Sequence, residues 1–404
     1  MLSRALVHVF PARRVRTFRC PSLTVKNMSP NIFGNSATLF LEASQQNVQQ
    51  DKTPIEAKKS PKAQIEKPKN PSEYKWSIVW RNVIAFAYLH IGSLYALYLI
   101  FYEMKGLTVL WATLIALCAA LGITAGAHRL WCHRSYKAKW PLRFILMIFQ
   151  TIAFQNHIYE WVRDHRVHHK FTDTDADPHN AKRGFFFSHI GWLMLRKHPD
   201  VINKGKLVDM SDLEKDPLVV WQRRLYVVLM PVCSFLIPTW VPCYFWNEGV
   251  MLSWYATVFR YTLSLNLTWL VNSAAHIYGI KPYDDSISPT DHLMVAIGAM
   301  GEGWHNYHHV FPWDYKAAEL GNYKGNVSTA FIDMFAWIGW AYDLKTVPTS
   351  LIEKRAARTG DGSRMSRKGD SHHEHSHEGA IWGWGDCDML LEDIKDAYIF
   401  NRGD

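Results

Sequence analysis

The chain has 404 residues, a formal net charge of +9 and 48% hydrophobic residues. Its apolar residues are gathered in long blocks instead of recurring at a helix or strand period, which argues against an ordinary soluble protein of this length. The positive charge comes without a nucleic-acid-binding motif and suits an anionic membrane face and an anionic substrate. The six cysteines have no paired spacing, so reduced thiols are expected and a disulfide scaffold is not.

Residues 1–74 read as a disordered extension. Within it, residues 1–41 hold no acidic residue and carry Arg4, Arg13, Arg14, Arg16 and Arg19, the composition of a mitochondrial presequence. Met28 is an alternative start, after which the first membrane span would direct insertion at the endoplasmic reticulum. Residues 42–74, rich in Gln, Lys and Pro, read as a linker. A catalytic body over residues 75–348 and a polar tail over residues 349–404 follow.

Four apolar blocks, residues 83–101, 107–127, 225–246 and 251–273, are each about 20 residues long, enough to cross about 30 Å of hydrocarbon as helices. They pair into two hairpins turning at residues 102–106 and 247–249. Arg81 precedes the first block, Arg129, Arg134, Lys137 and Lys139 follow the second, and Arg223 and Arg224 precede the third. The positive-inside tendency therefore places both termini in the cytosol. Pro231 and Pro238 in the third block and Arg260 in the fourth are blemishes. The expected fold is an all-α integral membrane protein, with four transmembrane helices in two hairpins and a cytosolic helical cap.

Three histidine clusters lie beside these blocks: His128 with His133, His165 with His168 and His169, and His305 with His308 and His309. On a helix, positions i, i+3 and i+4 share a face, so each HxxHH can aim imidazoles at one point. His128 and His133, five apart, do not share an α-helical face, which suits a backbone turning at the end of the second block. Asn272 and His276 share a face at the mouth of the fourth. Nine imidazoles exceed the need of one ion, so two metals are the economical reading. No Glu-x-x-His pair of the soluble di-iron type accompanies them. Asn272 could hold a water on one metal. His8, His90, His157, His179, His189, His198 and His292 lack partners at ligand spacing. Asp173, Asp175 and Asp177 could orient ligand imidazoles or form a solvated turn. In the tail, the run from His372 to His377 reads as a solvated segment, and Trp382 to Gly385 with residues 389–400 could dock back on the cap as a helix.

GITAGAHRLWCHRSYKA (122–138), YEWVRDHRVHHKF (159–171), DADPHNAKRGFFFSHIGWL (175–193), TWLVNSAAH (268–276) and GEGWHNYHHVFPWDY (301–315) together resemble the membrane-bound acyl-CoA desaturases of the stearoyl-CoA type, particularly the insect members. The resemblance covers residues 75–348, with a weaker echo at residues 382–386. It implies a mushroom-shaped protein in the endoplasmic reticulum membrane and two iron ions held by His128, His133, His165, His168, His169, His276, His305, His308 and His309, with Asn272 acting through water. It further implies dioxygen as co-substrate, electrons from cytochrome b5 and its NADH-dependent reductase, and a cis double bond placed in a long-chain acyl-CoA, most often at the delta-9 position.

The resemblance also implies a kinked apolar tunnel lined by Gln155, Trp161, Thr268 and Trp269, and a CoA end held by Asn156, Arg163, Asp164, Arg196 and Lys197. Ala116 and Ala120 align with the closed end of the tunnel. Cys132 stands where serine or alanine is more usual. A desaturase of other regiospecificity, such as delta-11, and a membrane di-iron fatty acyl hydroxylase are the alternatives. A histidine-rich metal transporter would place its charged groups inside the spans instead of at one surface, and a catalytically silent paralogue would not need all nine ligands.

Overall fold

Helix α1 (Trp80–Tyr102) carries Arg81 at its first turn and otherwise no side chain with a fixed charge. The computed structural model describes residues 75–319, 323–364 and 380–403; the expected N-terminal extension and the run from His372 to His377 lie outside the described residues. A short turn leads from α1 into α2 (Gly106–Leu121), which has no charged residue at all. The helix does not end there. It widens into a π-helical segment, Gly122–Cys132, five residues beyond the expected end of the block at 127. Gly122 is required at the changeover, because a Cβ would stand 2.2 Å from backbone atoms of Phe149 and Gln150. Those residues belong to α3 (Trp140–Ala153), which starts with proline in its first turn and ends at Phe154 in a left-handed conformation.

After α4 (Ile158–Phe171), the second hairpin begins with α5 (Pro217–Pro231), whose start is capped by the Asp216 side chain. It continues through a π-helical turn, Val232–Leu236, into α6 (Ile237–Trp246), and returns as α7 (Val250–Asn272). Three of these helical runs, Trp80–Tyr102, Gly106–Cys132 and Pro217–Trp246, are long and apolar enough to cross a membrane. The fourth expected span, α7, has 23 residues but falls short of that apolarity. Arg260, Asn266 and a series of Ser and Thr side chains dilute it, and Ser253, Thr257, Arg260, Thr262 and Ser264 are buried within the protein. The two hairpin turns are tied to each other: Lys105 donates from its backbone to Glu248 Oε2 at 3.0 Å and from Nζ to the carbonyl of Trp246 at 2.9 Å.

Shorter elements include α8 (His305–Val310), α9 (Val327–Trp337), α10 (Thr349–Thr359) and α11 (Leu391–Asp396). Two antiparallel ladders staple them, β1 (Lys137–Ala138) with β2 (Ala341–Tyr342) and β3 (Leu344–Thr346) with β4 (Tyr398–Phe400). The tail thus docks as expected but not as one helix. Within residues 389–400, Leu391–Asp396 is helical and Tyr398–Phe400 adds a strand. A buried cluster including Trp131, Tyr136, Leu142, Leu146, Ile158 and Val162 joins the π-helical segment, α3 and α4. A second, including Tyr307, Trp313, Ile352, Ile381 and Met389, joins α8, α10 and the tail.

Candidate metal centre

The π-helical segment changes the relation of His128 to His133. Its hydrogen bonds span five residues, and His133 N donates to His128 O at 3.0 Å. Residues five apart are thereby brought to one side, with the two ring centroids 4.6 Å apart. The expected turn between them is replaced by a continuous wide helix. The α4 helix supplies His165, His168 and His169, α8 supplies His305, His308 and His309, and His276 follows the end of α7.

The nine imidazoles fall into two sets. His128, His133, His165, His169 and His308 form one, and His168, His276, His305 and His309 the other; within each set the ligand atoms lie within 4.8 Å of one another. In the first, His308 Nε2 stands 3.0 Å from His128 Nε2 and 3.1 Å from His169 Nε2. In the second, His305 Nε2 stands 3.0 Å from His276 Nε2 and 3.1 Å from His309 Nε2. One nitrogen facing two others suits a shared cation better than a hydrogen-bond chain, in which each contact needs one donor and one acceptor. Nε2 of His133, His165 and His168 are buried with no hydrogen-bond partner, a costly arrangement unless a ligand satisfies them. All-nitrogen donors suit a first-row transition metal such as iron.

Polar groups behind the rings set their orientation. His168 Nδ1 lies 2.9 Å from Asp177 Oδ1, His276 Nδ1 3.0 Å from Ser288 Oγ, and His128 Nδ1 3.0 Å from the Glu302 carboxylate. His133 Nδ1 meets the carbonyl of Trp382. The Asp177, Ser288 and Trp382 oxygens hydrogen-bond the far nitrogen and leave Nε2 for a metal, and the Glu302 carboxylate stands beside the far nitrogen of His128. Burial, reinforced by the neighbouring imidazoles, holds His165, His169, His276, His305, His308 and His309 well below the ordinary histidine pKa. Burial likewise lowers His133 to about 3. Neutral rings are the ligand-competent form.

A cavity of about 720 Å³ reaches the two sets, and His128, His165 and His305 are in its wall. Gln155, Trp161, Thr268 and Trp269 all line it, as do Ala116, Ala120, Asn156, Asp164 and Asn272. Gln155 Nε2 donates to Thr268 Oγ1 at 3.0 Å, joining the loop after α3 to α7 across the cavity. Trp161 packs edge to face on His128, with centroids 6.1 Å apart. Arg163 and Lys197 stand behind the wall, both bonded to Asp164. Arg196 lies with Lys197 in a small neighbouring pocket beside Trp76 and Arg183.

Several residues of the centre are not apparent from spacing. His179, which lacks partners at ligand spacing in the sequence, is buried beside His168 with ring centroids 4.3 Å apart, and it lines the cavity. Of the three aspartates next to the second cluster, Asp177 alone contacts a histidine of the two sets. Glu302, Ser288 and Trp382 carry no ligand spacing; only the GEGW motif and the weak echo at residues 382–386 pointed to two of them. His157, His198 and His292 cap helix starts by accepting backbone N–H groups. Cys132 is buried next to His133, yet neither set includes its sulfur.

Residues 105–319 match the family model for fatty acid desaturases. The chain is 62% identical over 340 residues to an acyl-CoA Delta-9 desaturase of Acheta domesticus, covering 84% of this chain and 90% of that one. The chain belongs to the acyl-CoA desaturase family. It is also 58% identical to an acyl-CoA Delta12-desaturase of Acheta domesticus, over 81% of this chain and 88% of that one. Stearoyl-CoA desaturase 5 of Homo sapiens is 56% identical over 71% of this chain and 87% of its own length. The helices long enough to cross a membrane and the two histidine sets are what a membrane desaturase of this family requires, and iron is the metal the family implies.

Proposed function

We propose that this chain is an oxidoreductase that introduces a cis double bond at the delta-9 position of a saturated long-chain acyl-CoA, stearoyl- or palmitoyl-CoA. It works within residues 75–348, in the endoplasmic reticulum membrane, with α7 as a fourth span and both termini cytosolic. The observation that carries this reading is the opening of one largely apolar cavity onto both histidine sets. The relative at 62% identity bears the name of a Delta-9 desaturase, which supports the position. The Delta12 relative at 58% supports a second regiochemistry.

His128, His133, His165, His169 and His308 would hold one iron ion, and His168, His276, His305 and His309 the other, with Asn272 reaching the second through water. The bound pair supplies activation of dioxygen, with electrons delivered by cytochrome b5 and its reductase. The protein's own work is placement. Each methylene buried in the cavity contributes about 0.8 kcal/mol, so the wall binds the acyl chain without polar contacts. The bridge from Gln155 to Thr268 and the Trp161 ring fix which carbon pair stands beside the imidazoles, the condition for attacking an unactivated C–H bond. Asn156, Arg163, Asp164, Arg196 and Lys197 would hold the CoA end, and the cations suit its phosphates.

Expression in a desaturase-deficient yeast tests the reading, with double-bond positions located by mass spectrometry. A delta-9 monounsaturated acid is expected. A delta-11 or delta-12 product would keep the reaction and correct the position, and a hydroxylated acid would overturn it. His308→Ala should abolish the product while the protein still inserts; retained activity would discredit the metal assignment.

A further inference from the structure

The carbonyl that engages His133 comes from 249 positions further along the chain. Residues 381–388 lie against the metal centre at several points. Trp384 N donates to His133 O at 2.9 Å, so His133 is held through both its ring and its backbone. Gly383 sits between these bonds at φ +144°, and a Cβ there would stand 2.5 Å from His133 O and 2.7 Å from its Cα. No other residue type fits. The Trp382 indole is 3% exposed and carries the Arg166 guanidinium 4.1 Å from its ring centroid; Arg166 lies between His165 and the pair His168 and His169.

Asp386 closes the segment. Its Oδ2 accepts from Trp382 N at 2.8 Å and its Oδ1 from Asp388 N at 3.1 Å. Oδ1 also lies 2.8 Å from Lys170 Nζ, and Lys170 directly follows His169 in α4. One short segment thus grips His133 from the π-helical segment and the helix bearing three more histidines.

We infer that residues 381–388 are a positioning strap of the metal centre. The Trp382 carbonyl fixes the His133 ring with its Nδ1–H engaged and its Nε2 turned inward, and the Asp386 to Lys170 pair holds the strap in place. The inference rests on the reading of His133 as a ligand. Without an acceptor at Nδ1 the imidazole loses its preferred tautomer and is free to turn. Loss of such an outer partner weakens metal binding by about 10–100-fold.

The test uses the full-length protein in detergent, with iron affinity measured by competition against a chelator and iron coordination by X-ray absorption. Gly383→Ala pushes the strap off His133. Asp386→Ala releases it without entering that space, and covers the case in which Gly383→Ala does not fold. Both should bind iron at least about tenfold more weakly, with an altered iron–nitrogen signal. Asp386→Asn, which keeps one of the two acceptor oxygens and so only one of the bonds from Trp382 N and Asp388 N, should recover part of the affinity, and Trp382→Phe, which keeps the carbonyl, should stay near the unmodified protein. A purely structural tail would lower the unfolding temperature of the metal-free protein and leave the affinity of the folded fraction unchanged, and that result would overturn the inference. An unmodified protein that holds no iron would overturn the ligand reading beneath it.

Discussion

The guanidinium of Arg260 donates to the carbonyl of Ser234, the group whose α-helical donor would be the N–H that Pro238 lacks. Pro238 and Arg260, blemishes of the third and fourth apolar blocks, therefore compensate each other across α6 and α7. Arg260 also donates to the carbonyl of Ile152 at 3.3 Å, in the last turn of α3, where helix carbonyls have no partner of their own. Arg260→Met should destabilise the protein by about 1–3 kcal/mol, the cost of leaving the buried Ser234 carbonyl unpaired, since the Ile152 carbonyl still accepts from Ser234 Oγ at 3.1 Å. Pro238→Ala should restore part of that loss. Detergent-resistant unfolding temperatures of the two single variants and the double variant check the coupling; strictly additive effects would separate the two residues.

The pairing of His168 with Asp177 concerns the metal centre. Both side chains are 1% exposed, so the contact is made out of water and holds one ring orientation. Asp177→Ala should lower iron affinity and product formation by about 10–100-fold, and Asp177→Asn, still able to accept from the ring, should lose less. Iron content per polypeptide and product yield are the measurements.

Ala116 and Ala120 both face the cavity, and their small size leaves it room for a long acyl chain. Ala116→Tyr should lower the ratio of stearoyl to palmitoyl products by about tenfold, the discrimination that losing space for a methylene or two can carry. An unchanged product ratio would remove Ala116 from the closed end of the cavity.

Acid should act on the cap through Asp212. Burial alone would raise its pKa, but the hydrogen bonds from Arg166 and Arg134 outweigh that and hold it well below the usual carboxylate range. A depressed folded-state pKa contributes stability above the unfolded value, about pH 4, and that contribution is lost as pH falls through the folded value. Asp212→Asn should be less stable near neutrality and should lose less between about pH 4 and strongly acidic conditions. Unfolding temperature against pH measures both, and parallel curves for the two proteins would contradict the assignment.

What the sequence determined by itself was chemistry carried by local spacing. The apolar blocks are long because hydrocarbon demands length, and HxxHH marks a helix face because the α-helical period is local. His165, His168, His169, His305, His308 and His309 could therefore be named with no fold in hand. Tertiary structure decided whatever depends on meeting a distant segment or on an uncommon backbone. The π-helical widening from Gly122 to Cys132 put His128 and His133 on one side, against the expectation for residues five apart. The division of nine imidazoles into two sets, with His168 separated from His165 and His169, depends on how α4 and α8 cross. His179, Glu302 and the Trp382 carbonyl have no spacing signal, since each reaches its histidine through packing, and a backbone carbonyl looks the same at every position of a sequence. Arg260 read as a defect of its helix because its acceptors lie on two other helices.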